Sequence, residues 1–175
     1  MRRIVLAGIG ICSLIVIQAF AQCQKTHLLA QGQFGKEDKG QFWNLNNQSK
    51  SGAFEKGKTY EMTFIAYEGY EYRVATTTDV ESAANVNFEL AHDVIVRVKD
   101  GNGRMDIKRQ RETIFDNTAE GMEQYVVFST DKTQKFYVTV SVPATGSSSD
   151  RKLTNTDRVC MGVAIFHRKT ERLGF

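Results

Sequence analysis

The sequence has little proline and cysteine, no long apolar segment and no long helical pattern. Proline occurs once, at Pro143, and cysteine three times in 175 residues. The longest apolar run, residues 4–17, is shorter than the roughly 20 residues of a membrane-spanning helix. No later segment has the period of a long helix, so the crossover helices of a parallel sheet are missing too. We therefore expect no membrane span in the mature chain and no parallel α/β fold.

An excess of charge of one sign is also lacking. The chain has 23 basic and 20 acidic residues. Arg2 and Arg3 belong to the N-terminal segment discussed below, and without them 21 basic residues remain, a formal balance of +1. A near-neutral domain has no general field that attracts nucleic acid. We interpret the two local basic clusters, residues 108–111 and 167–172, as solvated loop and tail residues.

Signatures of catalysis are missing as well. The sequence has no G-x-S-x-G elbow and no glycine-rich phosphate loop. Its three histidines, His27, His92 and His167, lie in no recognisable motif. Acidic residues are plentiful, but no spacing singles out a pair for glycoside hydrolysis. We expect a protein that is not an enzyme.

One stretch resembles the start of a calcium loop. Residues 100–103 read D-G-N-G, but Arg104 and Arg111 stand where an EF-hand needs oxygen ligands. Aspartate and asparagine are common in turns because they tolerate left-handed backbone conformations. We therefore expect no cofactor. The alternative that we do not favour is a calcium ion at the rim of the domain, held by some of Asp79, Asp93, Asp100, Asp116 and Asn117.

The first 21 residues have the three parts of a secretory signal peptide. Arg2 and Arg3 precede the apolar run Ile4–Ile17, and Ala19 and Ala21 are the small residues of a cleavage site. We predict cleavage after Ala21 and export to the periplasm or beyond. The alternative is an uncleaved N-terminal anchor.

Cysteine usage agrees with export. Cys12 leaves with the signal peptide, which leaves Cys23 and Cys160 at opposite ends of the mature chain. In an oxidising compartment the two form a disulfide, for which the chain-entropy model gives about 4–5 kcal/mol of stabilisation. The alternative is a buried, reduced Cys160 and a free thiol at Cys23. Two cysteines are too few for a structural zinc site.

Period-two alternation of apolar residues is what the sequence has in abundance. Such alternation, interrupted by turn residues every few positions, predicts an all-β fold with little helix. The predicted strands are residues 59–67, 70–77, 85–90, 93–99, 113–115, 123–129, 136–142 and 158–167.

About eight short strands predict a single antiparallel β-sandwich of jelly-roll type. We divide the chain into a signal peptide (1–21), an irregular leader (22–57), the sandwich (58–167) and a polar tail (168–175). Strands 59–67 and 70–77 flank the two-residue turn Glu68–Gly69, which predicts a β-hairpin. We expect strand 93–99 to be central, with residues 100–103 as its exit turn.

Aromatic residues are the main candidates for binding. Tyr70 and Tyr72 share the parity of Val74, so we expect both to face the core. Trp43 in the leader and Tyr67 beside a turn are the better candidates for exposed rings that contact a ligand.

The order of these motifs resembles a known domain family. An aromatic strand at residues 70–74, the strand and turn at 93–103, Phe115-Asp116-Asn117 and the strand at 135–140 follow one another as in the pre-peptidase C-terminal type of β-sandwich. The chain also resembles small secreted proteins of Bacteroidetes-type bacteria in which such a domain stands alone. The resemblance spans roughly residues 59–166. It implies a non-catalytic accessory or binding role.

Three functions follow in order of preference. The first is an exported accessory or structural protein that binds another envelope or secreted protein through its leader or a strand edge. The second is a module that binds carbohydrate or another ligand through exposed aromatic rings. The third is a hydrolase whose site is assembled only in space. We expect no nucleic acid as a partner.

Overall fold

A computed structural model describes residues 22–38, 40–79, 86–99, 101, 103–143 and 158–170. The predicted signal peptide lies outside these residues. The chain begins with a 3-10 helix, Gln22–Leu28, followed by α1, Leu29–Phe34. Nine strands follow: β1 Asn44–Leu45, β2 Lys50–Glu55, β3 Thr59–Ala66, β4 Tyr70–Thr78, β5 Asn87–Lys99, β6 Met105–Asp116, β7 Tyr125–Ser129, β8 Gln134–Ser141 and β9 Arg158–Lys169.

The strands form two antiparallel sheets, which confirms the all-β sandwich. One sheet has the order β1-β9-β4-β7, with β2 also paired to β9. The other has the order β3-β8-β5-β6. From β2 to β9 successive strands lie in different sheets, except that β5 and β6 are neighbours in the same sheet, and this is the order of a jelly roll. Neither of the two helices described is long and apolar enough to cross a bilayer.

The predicted hairpin at residues 59–77 is wrong. β3 pairs with β8, and β4 pairs with β7 and β9, so the turn at Glu68–Gly69 carries the chain from one sheet to the other. Gly69 has a φ of +82°, which suits this turn, and the backbone N–H of Tyr67 donates to the hydroxyl of Tyr72 at 2.8 Å. The local signals were correct for two strands and a turn. Pairing was decided by partners that lie far away in the sequence.

The main core lies between the sheets and follows the predicted alternation. Phe64, Val74, Leu90, Val138 and Ile165 each place a fully or almost fully buried side chain in it. The rings of Phe64 and Phe136, on paired residues of β3 and β8, stack with centroids 5.6 Å apart. Burying such a side chain contributes about 1.5–3 kcal/mol, so these alternating positions dominate the stability of the sandwich.

The leader is more regular than predicted. Its helices cover the outer face of the five-stranded sheet, and β1 and β2, which had not been predicted, extend that sheet along β9. A second apolar cluster forms beneath the helices from Ala30, Phe34, Trp43, Ala75, Ala164 and Phe166. β9 is therefore buried on both faces between residues 161 and 166.

Gly162 explains how closely the leader approaches β9. A Cβ atom at this position would lie 2.2 Å from the backbone nitrogen of His27. Because no side chain fits in that space, glycine is required where the 3-10 helix crosses the strand. The segment predicted as polar tail begins later than expected, since Arg168 and Lys169 still belong to β9.

The disulfide between Cys23 and Cys160 is present and fastens the 3-10 helix to β9. The two Cα atoms are 4.8 Å apart, and the closed loop spans 137 residues. Next to it, the Thr77 hydroxyl donates to the carbonyl of Thr26 at 3.0 Å, which ties the same helix to β4. The leader is thus held by a covalent bond and by backbone hydrogen bonds.

Candidate functional site

The structure joins two predicted strands into one that leaves the body of the protein. Residues 85–90 and 93–99 were predicted as separate strands, but β5 is continuous over 13 residues. It pairs with β8 only from Asn87 to His92, and beyond that point its only strand partner among the described residues is β6. Seven residue pairs, from Asp93 with Arg111 to Lys99 with Met105, continue past the sheet. At about 3.4 Å per residue this ribbon is roughly 20 Å long. We call residues 93–99 and 105–111 the arm.

The arm holds large apolar side chains in solvent. Ile95 is 74% exposed and Ile107 is 68% exposed, whereas Leu90, five residues before Ile95 on the same strand, is fully buried. Val98 and Met105 are also exposed. Single exposed apolar residues are ordinary on a protein surface, but a contiguous group on one element indicates a contact site. The expectation that strand 93–99 is central is therefore wrong.

Beyond the pair Asp93–Arg111 at its base, one face of the arm is made only of apolar and cationic side chains. The register places Ile95 opposite Arg109, Arg97 opposite Ile107 and Lys99 opposite Met105, so these residues share a face. We call these six residues the outer face of the arm. None of its residues is acidic, and none of its three cations has an ion-pair partner among the described residues.

The base of the arm is anchored to the four-stranded sheet around Tyr137. This ring is buried beneath the guanidinium of Arg111, whose Cζ lies 3.7 Å from the ring centroid, and the ammonium of Lys135 lies 4.7 Å away. The Tyr137 hydroxyl donates to Asp93 at 2.9 Å. Arg111 also donates to Glu61 on β3 at 2.5 Å, and this hydrogen bond raises the pKa of Arg111. Contacts to two neighbouring strands, β8 and β3, therefore fix the direction of the arm.

A basic groove lies where the arm meets the β7–β8 turn. Its volume is about 570 Å³. Arg109, Lys132 and Lys135 supply the cations, and the acidic residue in its lining, Asp93, already accepts the hydrogen bond from Tyr137. The groove continues the cationic character of the outer face, since Ile95 and Arg109 belong to both.

The free edge of β6 is the third feature of the arm. β6 has 12 residues, and among the described residues it pairs only with β5. Its backbone groups on the other side have no strand partner within the described part of the chain. A long open edge of this kind can pair with a strand from another protein.

Trp43 is not the exposed ring that the sequence predicted. Only 4% of it is exposed, and its indole lies between the guanidinium groups of Arg73 and Arg168, each with its Cζ 4.3 Å from the ring centroid. Arg168 also donates to Glu71 at 2.6 Å, while burial lowers the pKa of Arg73. A tryptophan in the leader is buried because the leader itself covers the sheet.

Tyr67 is exposed at 53%, as predicted for a ring beside a turn. It does not form a binding platform with Trp43, since that ring is buried. Phe42, the neighbour of Trp43, is 65% exposed. Phe42 borders a groove of about 630 Å³ that Tyr70, Asn44 and His167 also line.

The three histidines have structural contacts. His27 donates its backbone N–H to the hydroxyl of Ser51 at 2.7 Å and places Nδ1 2.6 Å from the same oxygen, which fastens the leader to β2. Burial lowers the pKa of His27 and of His167. His92 stacks on Phe136 with centroids 5.4 Å apart. No carboxylate among the described residues contacts His27, so the Ser51–His27 pair is not part of a triad there.

The acidic rim residues are engaged in turns and caps. Asn117 is buried, accepts a hydrogen bond from the N–H of Phe88 and donates to the carbonyl of Val86, both at 2.8 Å. Asp116 accepts from the N–H and the hydroxyl of Thr118. Within the described residues no group of three or more His, Cys, Asp or Glu side chains is placed to hold a metal ion. Asp100 lies outside those residues.

Local residue patterns do not distinguish the arm from a buried strand. Its alternation of Val94, Val96 and Val98 is the same as that of a buried strand, and the cationic residues 108–111 were interpreted as a loop. The available signal was the charged, alternating segment after residue 103, which matches β5 in length and can pair with it across a turn.

No family model and no curated protein matches the chain. Among solved structures, the chain is similar to Aeromonas hydrophila PliG, a periplasmic lysozyme inhibitor of g-type lysozyme. The identity is 15%, the match covers 76% of this chain and 92% of that one, and the TM-score is 0.38. A similarity of this size carries no argument about function.

Proposed function

We propose that this protein is a non-catalytic exported protein that binds another envelope or secreted protein through its arm. The observation that carries the proposal is the exposure of Ile95 and Ile107 on a ribbon that extends past the sandwich. The arm adds little to the core, since none of its side chains belongs to either of the two core clusters. Its retention of such residues is explained by a partner that covers them.

Energetics support a docking role. Covering apolar surface contributes about 25 cal/mol per Å², so the three exposed apolar side chains of the outer face, Ile95, Met105 and Ile107, offer a partner several kcal/mol before the costs of association. A free two-stranded ribbon is only marginally stable in water. The anchoring of Tyr137 by Arg111 and Asp93 holds the ribbon in place in advance, which lowers the ordering cost of binding.

Export is supported by two independent features. The first 21 residues have the composition of a signal peptide, and a disulfide joins Cys23 to Cys160. Stable structural disulfides are typical of oxidising compartments. The resemblance to pre-peptidase C-terminal-type sandwiches stays a prediction, and an accessory role of the kind it implies fits the same proposal.

A second candidate function is carbohydrate binding at the groove beside Phe42. The exposed Phe42 ring, the half-buried Tyr70 and the amide of Asn44 combine an apolar platform with hydrogen-bonding groups. This site replaces the predicted pair of Trp43 and Tyr67. Binding of a glycan that is lost in Phe42→Ala and unchanged in Ile107→Glu would establish this function in place of the first.

The test of the first function uses crosslinking in the periplasm or culture medium. Captured proteins are identified by mass spectrometry and their affinity is measured again with purified components. Ile107→Glu, on the arm, is compared with Leu29→Glu, which makes the same change at another exposed apolar site, on α1. We expect Ile107→Glu to weaken binding at least about tenfold and Leu29→Glu to leave it unchanged. A partner that binds both variants equally well would refute the arm as the binding element.

A further inference from the structure

We infer that the arm recognises an acidic, extended segment of its partner, which adds to β6 as an antiparallel strand. This inference rests on the proposed function and specifies both the chemistry of the partner and the mode of contact. The observations behind it are the length of the open edge, the charges along it and the arginine pairs that a second copy would form across the middle of the strand.

β6 is the longest open edge in the described part of the protein. At the other edge of the same sheet β3 has 8 residues, and the edge strand β7 has 5. Open edges are commonly protected by proline, by shortness or by charge. β6 has no proline, is not short, and has its register shift at residues 113–115, outside the arm, so along the arm its charged residues are the remaining feature that determines which strands can pair with it.

The charges along β6 select an acidic strand. Lys108, Arg109 and Arg111 lie within four successive positions, and Arg97 and Lys99 flank them on the neighbouring β5. Opposite charges on directly opposed residues stabilise a strand pair, and like charges destabilise it. A strand opposite these positions therefore needs glutamate or aspartate there, and apolar residues opposite Met105 and Ile107.

A second copy of the chain meets this requirement poorly where the two strands would overlap most, since registers near an end, such as one centred on Ile107, pair only residues 105–109 of β6. Two antiparallel copies of β6 in one continuous sheet are related by a two-fold axis, so each register is centred on one residue. Centring on Arg109 or on Arg111 places each of those arginines opposite its own copy. Centring on Gln110 places Arg109 opposite Arg111. The registers around the middle of the strand all oppose arginine to arginine, which disfavours pairing between copies.

The register defines a probe. The peptide TKETEEVKV is designed to lie opposite residues 113 to 105, in that order. It places glutamate opposite each cation, lysine opposite each acidic residue, valine opposite each apolar residue and threonine opposite each neutral polar residue. Its charge-swapped counterpart reads TEKTKKVEV and has the same apolar positions. Binding of both labelled peptides to the full disulfide-bonded chain is measured by fluorescence anisotropy at low and at physiological salt.

We expect the acidic peptide to bind at least about tenfold more tightly than the charge-swapped peptide, and more weakly as salt increases. Arg109→Glu is expected to reduce that preference or reverse it. Lys58→Glu makes the same charge change at the opposite end of the four-stranded sheet, next to the pair Thr59–Ser141, and is expected to leave the preference unchanged. Equal binding of the two peptides to the unaltered chain would overturn the selection for acidic residues.

Main-chain pairing is tested separately from charge. Along an added strand, alternate N–H groups face β6 and face solvent. One peptide is N-methylated at two alternate residues, and a second peptide at the two residues between and beside them. The peptide whose methyl groups replace N–H groups that face β6 should lose binding. The peptide whose methyl groups face solvent should largely retain it. Equal effects in the two peptides would overturn strand addition.

The outcomes separate the two proposals. If no peptide binds while the purified partner still depends on Ile107, strand addition is refuted and the proposed function stands. If the partner binds Ile107→Glu as well as it binds the unaltered chain, the proposed function fails whatever the peptides do.

Discussion

The two halves of β5 have the same alternation of residues but opposite environments. In the first half, Phe88 and Leu90 are buried against the second sheet, and β8 lies alongside. In the second half, Val94, Val96 and Val98 alternate in the same way, but the pairing with β8 has ended and none of the three is fully buried or part of the main core. The difference shows that alternation specifies a strand and its two faces. Whether the apolar side chains are buried depends on whether the second sheet extends far enough to cover that part of the strand.

β9 lies at the other extreme from the arm. Its residues 161–166 are buried on both faces, because the main core covers one face and the leader covers the other. No side chain of the arm is fully buried. Strands of similar length are thus buried on both faces in β9 and exposed in the arm. One of the two buried faces of β9 is buried only because the leader covers it.

The largest expected effect comes from removing the disulfide that holds the leader on β9. Replacing Cys23 and Cys160 together by serine is expected to lower the free energy of unfolding by about 4–5 kcal/mol, because the unfolded chain loses a constraint over 137 residues. Urea denaturation of both proteins measures this difference.

Partner binding by the arm should not change in the folded double variant, because the leader covers the other sheet. A reducing agent should lower the stability of the unaltered chain and have no effect on the variant. Equal stability of the two proteins under oxidising conditions would contradict the role of the disulfide in fastening the leader.

The next effect compares the halves of β5 directly. Leu90→Ala is expected to cost about 2–5 kcal/mol, since it leaves a cavity in the main core. Ile95→Ala, five residues along the same strand, should change stability by no more than about 0.5 kcal/mol, because its side chain is in solvent. Thermal and urea unfolding of the pair provide the measurement, and a similar loss in both variants would show that the arm is not free of the body.

The smallest expected effect is a pH dependence of the free energy of unfolding, which arises from His27 in the leader and not from the arm. Burial lowers the pKa of His27 from its ordinary value of 6.5, so the folded chain favours the neutral imidazole beside Ser51. The unfolded chain takes up a proton near pH 6.5 and the folded chain only at lower pH. This contribution to stability is therefore complete above pH 6.5 and is lost as the pH falls towards the lowered pKa.

His27→Gln should flatten this part of the stability profile between pH 7.5 and 5.5, measured by urea denaturation at each pH. Ile95→Ala, on the arm, serves as the control and should keep the full slope. A slope that is unchanged in His27→Gln would assign the pH dependence to other groups, of which His167 is the first to examine, since burial lowers its pKa as well.

Local patterns predicted the faces of the strands well and their partners poorly. Phe64, Val138 and Ile165 lie in the core as their parity predicted. Parity is predictable because the two faces of a strand alternate from one residue to the next, which depends only on local sequence. The hairpin at residues 59–77 failed because both strands had better partners in distant parts of the chain. The binding candidate Trp43 failed because exposure depends on a layer that local patterns do not reveal.

The sequence by itself determined the strand content, the side of each strand that is apolar and the two cysteines available for a disulfide, since these depend on residue type and short-range spacing. Only the tertiary structure decided that the leader covers one sheet, that β3 and β4 lie in different sheets, and that the second half of β5 continues with β6 into solvent. These depend on which distant segments meet, and on where the opposing layer ends. The exposed arm, the feature on which the proposed function rests, belongs to this second group.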